Sequence, residues 1–120
     1  MSDIQDFKDL IIWQKGMEIA EKCYFLTKKF PRDELFGMTQ QIRRASASIP
    51  ANIAEGYGRR SSGDYARFLN ISQGSINELQ THLFLSSRVG LCTVKEIELI
   101  IQQLQEETRM IISLLKKLNN

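Results

Sequence analysis

The sequence predicts an all-α protein, an antiparallel up-down-up-down four-helix bundle whose second helix bends at Pro50. Apolar residues recur at spacings of three and four in four separate segments, which is the periodicity of one helix face. Short connections with proline, glycine or serine join the segments, and such connections favour antiparallel neighbours. No segment shows strand alternation. We therefore predict a single domain over residues 1–120, with helices at about 8–30, 32–57, 62–89 and 94–118.

The first predicted helix follows a polar lead-in, residues 1–7, and ends at Pro31, because the residue before a proline avoids the α conformation. Its two apolar stripes are Leu10, Trp13, Met17, Ala20, Tyr24 and Thr27, and Ile12, Gly16, Ile19, Cys23, Leu26 and Phe30. One neighbouring helix covers about one stripe. The surplus apolar surface predicts that copies of the chain associate; the alternative is that it only widens a single core.

The second predicted helix begins at PRDE, residues 31–34, which places proline and acids in a first turn. Pro50 removes one backbone hydrogen bond from its middle and should bend it. The small residues around Pro50 allow a neighbouring helix to approach closely. This stretch, residues 40–60, also carries polar groups that are costly to bury, and it is the least ordinary part of the sequence.

The third and fourth predicted helices have clear ends. Ser61 or Ser62 can cap the third helix, and Gly90 stops it. Thr93 and Glu96 match a capping box at the start of the fourth. The buried faces are predicted to be Tyr65, Leu69, Ser72, Ile76, Leu79, Leu83 and Ser86 on the third helix, and Ile97, Ile101, Leu104, Thr108, Ile111, Leu115 and Leu118 on the fourth. Ile100, Met110, Ile112 and Leu114 lie beside that face.

Composition narrows the function classes. The net charge is +2, so composition alone does not indicate a nucleic-acid-binding protein. The N-terminus lacks the pattern of a secretory signal, and no apolar run is long enough to cross a bilayer, so we expect a cytoplasmic protein without a membrane partner. Cys23 and Cys92 are isolated and His82 is the only histidine, so we expect reduced cysteines near apolar surfaces and neither a metal site nor a cofactor.

Polar residues of the second and third helices should face one another. A turn near residue 61 makes the numbers of facing residues sum to about 122. The predicted pairs are Arg44 with Glu78, Ser48 with Gly74, Asn52 with Asn70, and Glu55 with Arg67. This polar ladder could fix helix register, or Glu55 or Glu78 could act as a general base. Since no nucleophile or metal motif accompanies them, we favour the structural role and expect no catalytic residue.

Arginines cluster around the same turn. Arg43, Arg59, Arg60 and Arg67 are candidate phosphate contacts, and Arg44 lies beside them in sequence. The alternative is a solvated turn with structural ion pairs. No helix-turn-helix, RNP or KH motif accompanies the arginines, so binding of RNA or DNA would depend on charge and shape.

Three segments, residues 7–20, 30–59 and 65–83, resemble the four-helix-bundle proteins named after intervening sequences of large-subunit ribosomal RNA. The SIPANIAEG motif at 48–56 is the most specific part of the resemblance. The resemblance implies a homopentamer around a central channel, with no known catalytic residue. It also implies a fold similar to accessory proteins of diversity-generating retroelements, which bind a reverse transcriptase and nucleic acid.

Together these observations predict a non-enzymatic homo-oligomeric interaction module that could contact RNA or DNA through its arginines. The alternative is an accessory or scaffold subunit that binds a protein, for example a reverse transcriptase, and has no role with nucleic acid. Salt dependence separates the two, because binding to phosphates weakens steeply as salt rises.

Overall fold

Four α-helices make up the computed structural model, which describes residues 4–119. They are α1 (Ile11–Thr27), α2 (Met38–Tyr57), α3 (Ser62–Arg88) and α4 (Val94–Leu118), with short 3-10 helices at Phe7–Asp9 and Arg32–Glu34. No strand occurs among the described residues. The predicted all-α four-helix bundle is confirmed. Residues 1–3 of the predicted lead-in lie outside the described residues, as does residue 120.

Each helix packs against two others: α1 contacts α2 and α4, and α3 contacts α2 and α4. Side chains join these neighbours at intervals, for example Ser48 with Ser75 between α2 and α3, and Lys15 with Glu106 between α1 and α4. The α2 helix continues through Pro50 to Tyr57. The up-down-up-down order and the bend at Pro50 stay predictions. Within residues 4–119, no helix is long and apolar enough to cross a membrane.

The first two helices begin later than predicted, at residue 11 rather than 8 and at residue 38 rather than 32. At the first start, Asp6 and Asp9 form a capping box around a 3-10 turn, and Leu10 is extended. At the second, PRDE closes its own 3-10 turn, and the Glu34 carboxylate accepts a hydrogen bond from the Met38 N–H at 3.1 Å. Local side-chain caps thus offered the backbone an alternative to the helix.

The ends of α3 and α4 confirm the predicted signals. The Ser61 hydroxyl accepts from the Asp64 N–H at 3.1 Å, and Thr93 with Glu96 forms the predicted capping box. After α3, Gly90 adopts a φ of 85°, and the N–H of Leu91 bonds to the Ser86 carbonyl at 2.9 Å. This left-handed turn satisfies the last carbonyls of α3 and is open mainly to glycine.

The core agrees with the predicted α3 face and corrects the α4 face. Six of the seven predicted α3 positions are buried, and Tyr65 is half-buried. The buried residues of α4 are Ile97, Ile100, Leu104, Glu107 and Ile111. Ile101 and Thr108, predicted to face the core, are only half-buried. The error came from an acid: Glu107 was not considered for the core, although the series 97, 100, 104, 107 and 111 has the regular 3-4-3-4 spacing.

Candidate interaction surface

An open apolar groove of about 550 Å³ runs between α1 and α2. It is lined by Trp13, Met17, Ala20, Glu21, Tyr24, Phe25, Lys28, Ala47, Pro50 and Ala51. Four members of the first predicted stripe form its α1 wall with neighbouring residues such as Phe25, while Leu10 and Thr27 at the ends of that stripe are buried, as is the whole second stripe. Phe25 is 65 % exposed, Tyr24 43 % and Met17 38 %. We call this surface the α1–α2 groove; apolar exposure of this kind marks interaction sites in soluble proteins.

Small residues of α2 create the groove, and stacking contacts hold its aromatic rim. Ala47 and Ala51 leave room where larger side chains would fill the space. At one end Trp13 packs edge-on against Phe7, with ring centroids 5.4 Å apart. At the other end the Arg43 guanidinium lies 4.8 Å from the centre of the Tyr24 ring. Because the rim side chains are held in place, little side-chain entropy would be lost when a partner binds.

Beneath this groove lies a buried carboxyl, Glu107 of α4, which the sequence analysis did not predict. Its side chain is fully buried, and neither carboxyl oxygen has a hydrogen-bond partner among the described residues. A Cβ atom built on Gly16 would lie 3.2 Å from its Oε2 and 3.4 Å from Pro50, so the carboxyl sits behind the groove floor. Burial raises its pKa to about 8, although Lys15 lowers the pKa. The group is therefore mainly neutral at pH 7.

Hydrogen bonds join the middle of α2 to α3, but within the described residues Asn52 bonds to Ser48 of its own helix and not to Asn70 as predicted. The Ser48 and Ser75 hydroxyl oxygens are 2.7 Å apart, and the Asn52 amide donates to the Ser48 hydroxyl at 2.9 Å. The Ser72 hydroxyl donates to the Ile49 carbonyl at 2.9 Å. The facing residue is Ser75 rather than the predicted Gly74, a shift of one position.

The charged ends of the ladder differ from the prediction. Glu55 of α2 pairs with Arg59, four residues later in the chain, at 2.7 Å rather than with Arg67 of α3. An i,i+4 partner is closer than one on the neighbouring helix. Glu78 pairs with His82 at 3.3 Å, and no ion pair joins it to Arg44 in residues 4–119. The exposed Glu55 and Glu78 therefore each contact a side chain four residues later in the chain and do not join α2 to α3.

The candidate phosphate contacts separate into two places. Arg59 and Arg67 both stack on the Phe68 ring, at 4.8 and 4.5 Å from its centre, and Arg60 is exposed in the adjoining turn. Arg43 lies four turns away on α2, where its Nε donates to the Thr27 hydroxyl at 2.9 Å. The turn near residue 60 thus holds a three-arginine patch, and Arg43 lies apart from it, beside the Tyr24 ring at the end of the α1–α2 groove.

The cysteines are free and buried, which confirms the prediction for them. Burial raises the pKa of the Cys23 thiol to about 12, with a hydrogen bond to Ser46 opposing this rise. Among the described residues, no group of three or more His, Cys, Asp or Glu side chains is arranged to hold a metal ion.

One further apolar surface was not predicted. Leu35 and Phe36, in the connection before α2, are 45 % and 85 % exposed, and we call this pair the Phe36 tip. Phe36 is more exposed than any other large apolar side chain of the described residues. The prediction that the second helix begins at residue 32 placed this pair within a regular helix and so hid its exposure.

Comparison with known proteins places this chain in a family. Residues 8–113 match the family model described as 23S rRNA-intervening sequence protein. A crystal structure from Bacteroides thetaiotaomicron, of a protein of unknown function from the S23 ribosomal protein family, is similar at a TM-score of 0.79 and 29 % identity. The match covers 88 % of this chain and 99 % of that one. No curated protein matches.

Proposed function

The chain belongs to the 23S rRNA-intervening sequence protein family, and we propose that it is a non-enzymatic interaction module whose copies associate through the α1–α2 groove. Five copies are expected from the family resemblance. The observation that carries the proposal is an apolar groove whose aromatic wall, including Phe25 and Tyr24, faces solvent in the single chain. Covering such a wall is the main driving force of protein association.

The chemistry of the groove favours a protein over a small ligand. Its volume of about 550 Å³ would suit a small molecule, but ligand pockets also present a few convergent polar groups. Two charged side chains, Glu21 and Lys28, line this groove, and both are exposed to solvent. An extended apolar strip between two helices instead resembles the grooves that accept side chains of a partner protein.

Mass measurement in solution tests the proposal. We expect light scattering after size exclusion to give a multiple of the monomer mass of 13.8 kDa, five-fold if the family resemblance holds. Phe25→Glu should shift the population toward monomer, since it places a charge in the contact. Val94→Glu is the matched control, because Val94 is 71 % exposed and lies outside the groove. A parent protein that stays monomeric and folded at all concentrations contradicts the proposal.

The three-arginine patch supports a second candidate function, binding of structured RNA or DNA. Arg59 and Arg67 are stacked on Phe68, which orients two guanidinium groups beside Arg60. Oriented guanidinium groups can contact backbone phosphates without reading sequence. Glu55 lies 2.7 Å from Arg59 and Asp64 lies 4.0 Å from Arg67, so the excess positive charge of the patch rests mainly on Arg60, and an oligomer would repeat it in every copy.

Nucleic-acid binding is tested by its salt dependence. We expect the affinity for a structured RNA to fall by at least about tenfold between 50 and 200 mM salt, and the double charge reversal Arg59→Glu with Arg60→Glu to abolish binding. The matched control is Arg88→Glu, at the far end of α3. If the doubly reversed protein binds as well as its parent, the patch is not the site, and the accessory subunit that binds only a protein becomes the better proposal.

A further inference from the structure

We infer that the α1–α2 groove of one copy receives the Phe36 tip of a second copy. This inference rests on the proposed self-association and adds the segment that fills the groove. Phe36 of the tip is the most exposed large apolar side chain of the described residues, and the groove is an apolar hollow of about 550 Å³ beside exposed aromatic rings. Each surface leaves apolar area in water that the other could cover.

Backbone hydrogen bonds fix the conformation of the segment that carries the tip. The Leu35 N–H bonds to the Arg32 carbonyl at 3.1 Å, and the Gly37 N–H bonds to the Glu34 carbonyl at 3.0 Å. The Glu34 carboxylate then caps the start of α2. Phe36 is therefore presented from a fixed turn, so that inserting it into a groove costs little backbone entropy.

The tip does not fill the groove of its own chain. Phe36 lines a separate hollow with Tyr24, Arg43 and Arg44, and it remains 85 % exposed there. Its absence from the groove lining leaves the groove open to a segment from outside. A second copy supplies that segment at the same concentration as the groove itself.

Each surface carries one acid and one base: Glu21 and Lys28 line the groove, and Arg32 and Asp33 lie just before the tip, so each sign on one surface has its opposite on the other. Lys28 lines the groove, with its Nζ 5.1 Å from the centre of the Phe25 ring. Asp33 lies three residues before Phe36, and neither Lys28 nor Asp33 forms an ion pair within residues 4–119. Docking of the tip would bring an acid and a base of opposite sign to the rim, which steers the tip toward the groove.

This contact joins two different surfaces, the Phe36 tip of one copy and the α1–α2 groove of another. A copy that offers its tip to one neighbour and its groove to another makes a head-to-tail contact, and such contacts close into rings when the rotation permits. A groove packed against another groove would instead give a two-fold dimer. The two arrangements respond differently when a variant without the tip is mixed with a variant without the groove.

Two variants and their mixture provide the test. Phe36→Ser removes the tip, and Ala47→Trp fills the groove at an exposed position of α2. Each variant alone should associate at least about 30-fold more weakly than its parent, because each removes a central apolar contact. A 1:1 mixture should form a complex of one copy of each, because one intact tip still meets one intact groove. Light scattering and native mass spectrometry measure both results.

Val94→Ser and Lys95→Trp, at the exposed start of α4, are the controls for loss and gain of apolar area, and far-ultraviolet circular dichroism checks helix content. The inference is overturned if Phe36→Ser keeps the mass of its parent, or if both variants are folded monomers that form no mixed complex. A parent protein that never associates would instead refute the proposed function. The two failures are therefore distinguishable.

Discussion

Glu107 shows how much a single buried group can control in a bundle of this size. Its carboxyl lies against Gly16 of α1 and near Pro50 of α2, without a hydrogen-bond partner in the described residues. The charged groups closest to it electrostatically are Lys15 on α1 and Glu106 on α4, which pair with each other at 3.6 Å. The carboxyl therefore stays protonated in the folded chain at a pH where the unfolded chain has released the proton.

The first prediction follows from this difference in protonation. The folded pKa of Glu107, about 8, lies above the ordinary value of 4.5, so the folded chain binds more protons between these pH values. The free energy of unfolding should fall as pH rises from 5 to 8, by about 1 kcal/mol per pH unit from this group alone. Glu107→Gln should remove that slope. Urea unfolding of both proteins at several pH values measures this slope. The difference between the two proteins removes the contribution of the titrating groups that they share.

Glu98→Gln is the matched control, because Glu98 is exposed on the same helix and is not one of the charged groups that shift the pKa of Glu107. It should keep the pH dependence of its parent. An equal slope in the parent and in Glu107→Gln would contradict the buried, protonated state.

Sequence alone predicted the local signals at this scale and missed the buried acid. Ser61, Thr93 and Gly90 were identified because each acts through its own backbone neighbourhood. Glu107 was missed because an acid in a heptad is ordinarily assigned to solvent, and only the packing of three helices places it inside. The partners of Glu55 and Glu78 were mispredicted because long side chains chose nearer partners on their own helices.

At the scale of the helices, α2 and α3 are in close contact at Gly56, which has no side chain. A Cβ atom built on Gly56 would lie 2.8 Å from the Cβ of Phe68 and 3.2 Å from the Tyr65 carbonyl oxygen. Neither the Phe68 Cβ nor the Tyr65 carbonyl oxygen can move aside as the end of a flexible side chain could. The hydroxyls of Ser48 and Ser75 meet farther along the same contact. The small residues of the SIPANIAEG motif therefore have a packing role, as the sequence analysis expected.

The second prediction compares two glycines. Gly56→Ala should destabilise the chain by about 1–3 kcal/mol, because the added methyl overpacks the α2–α3 contact. Gly74→Ala is the control, since nothing lies within 4 Å of its Cβ position on α3. It should stabilise the chain by up to about 1 kcal/mol through helix propensity. Thermal and urea unfolding measure both values. If both substitutions stabilise the chain equally, the helices are not in close contact at Gly56.

The helix bounds illustrate the limit of sequence patterns at this scale. The start and end of α4 matched the prediction, while α1 and α2 began three and six residues late. The predicted starts rested on the apolar stripe through Leu10 and on the PRDE signal, but the Asp6 side chain capped a short turn before Leu10, and PRDE formed a short turn of its own. Those turns created the Phe36 tip, so the same local competition that shortened the helix also produced an exposed surface.

For the whole molecule, the distribution of apolar surface matters more than its amount. The second α1 stripe fills the core, and the first, with Phe25 and Tyr24, lines an open groove. Sequence predicted that a surplus existed and could not say where a partner would contact it. The location depended on Ala47 and Ala51, whose small size becomes meaningful only once α2 lies beside α1.

The third prediction belongs at this scale. If association buries the α1–α2 groove, the midpoint temperature of unfolding should rise with protein concentration, because assembly stabilises the folded state by mass action. The midpoint of Phe25→Glu should change much less over a 100-fold range of concentration. Scanning calorimetry or fluorescence of Trp13, the only tryptophan, measures the midpoint. An unchanged midpoint in the parent over that range would contradict assembly through this surface.

Cys23 is buried near the end of α1 with its thiol neutral, and Cys92 is buried in the turn before α4. Alkylating reagents attack thiolates that are open to water, so neither sulfur should react until the helices around it separate. The two thiols therefore report separately on opening of the core around α1 and on opening of the turn before α4. Their relative labelling rates would reveal which part of the bundle loosens first, without any foreign label.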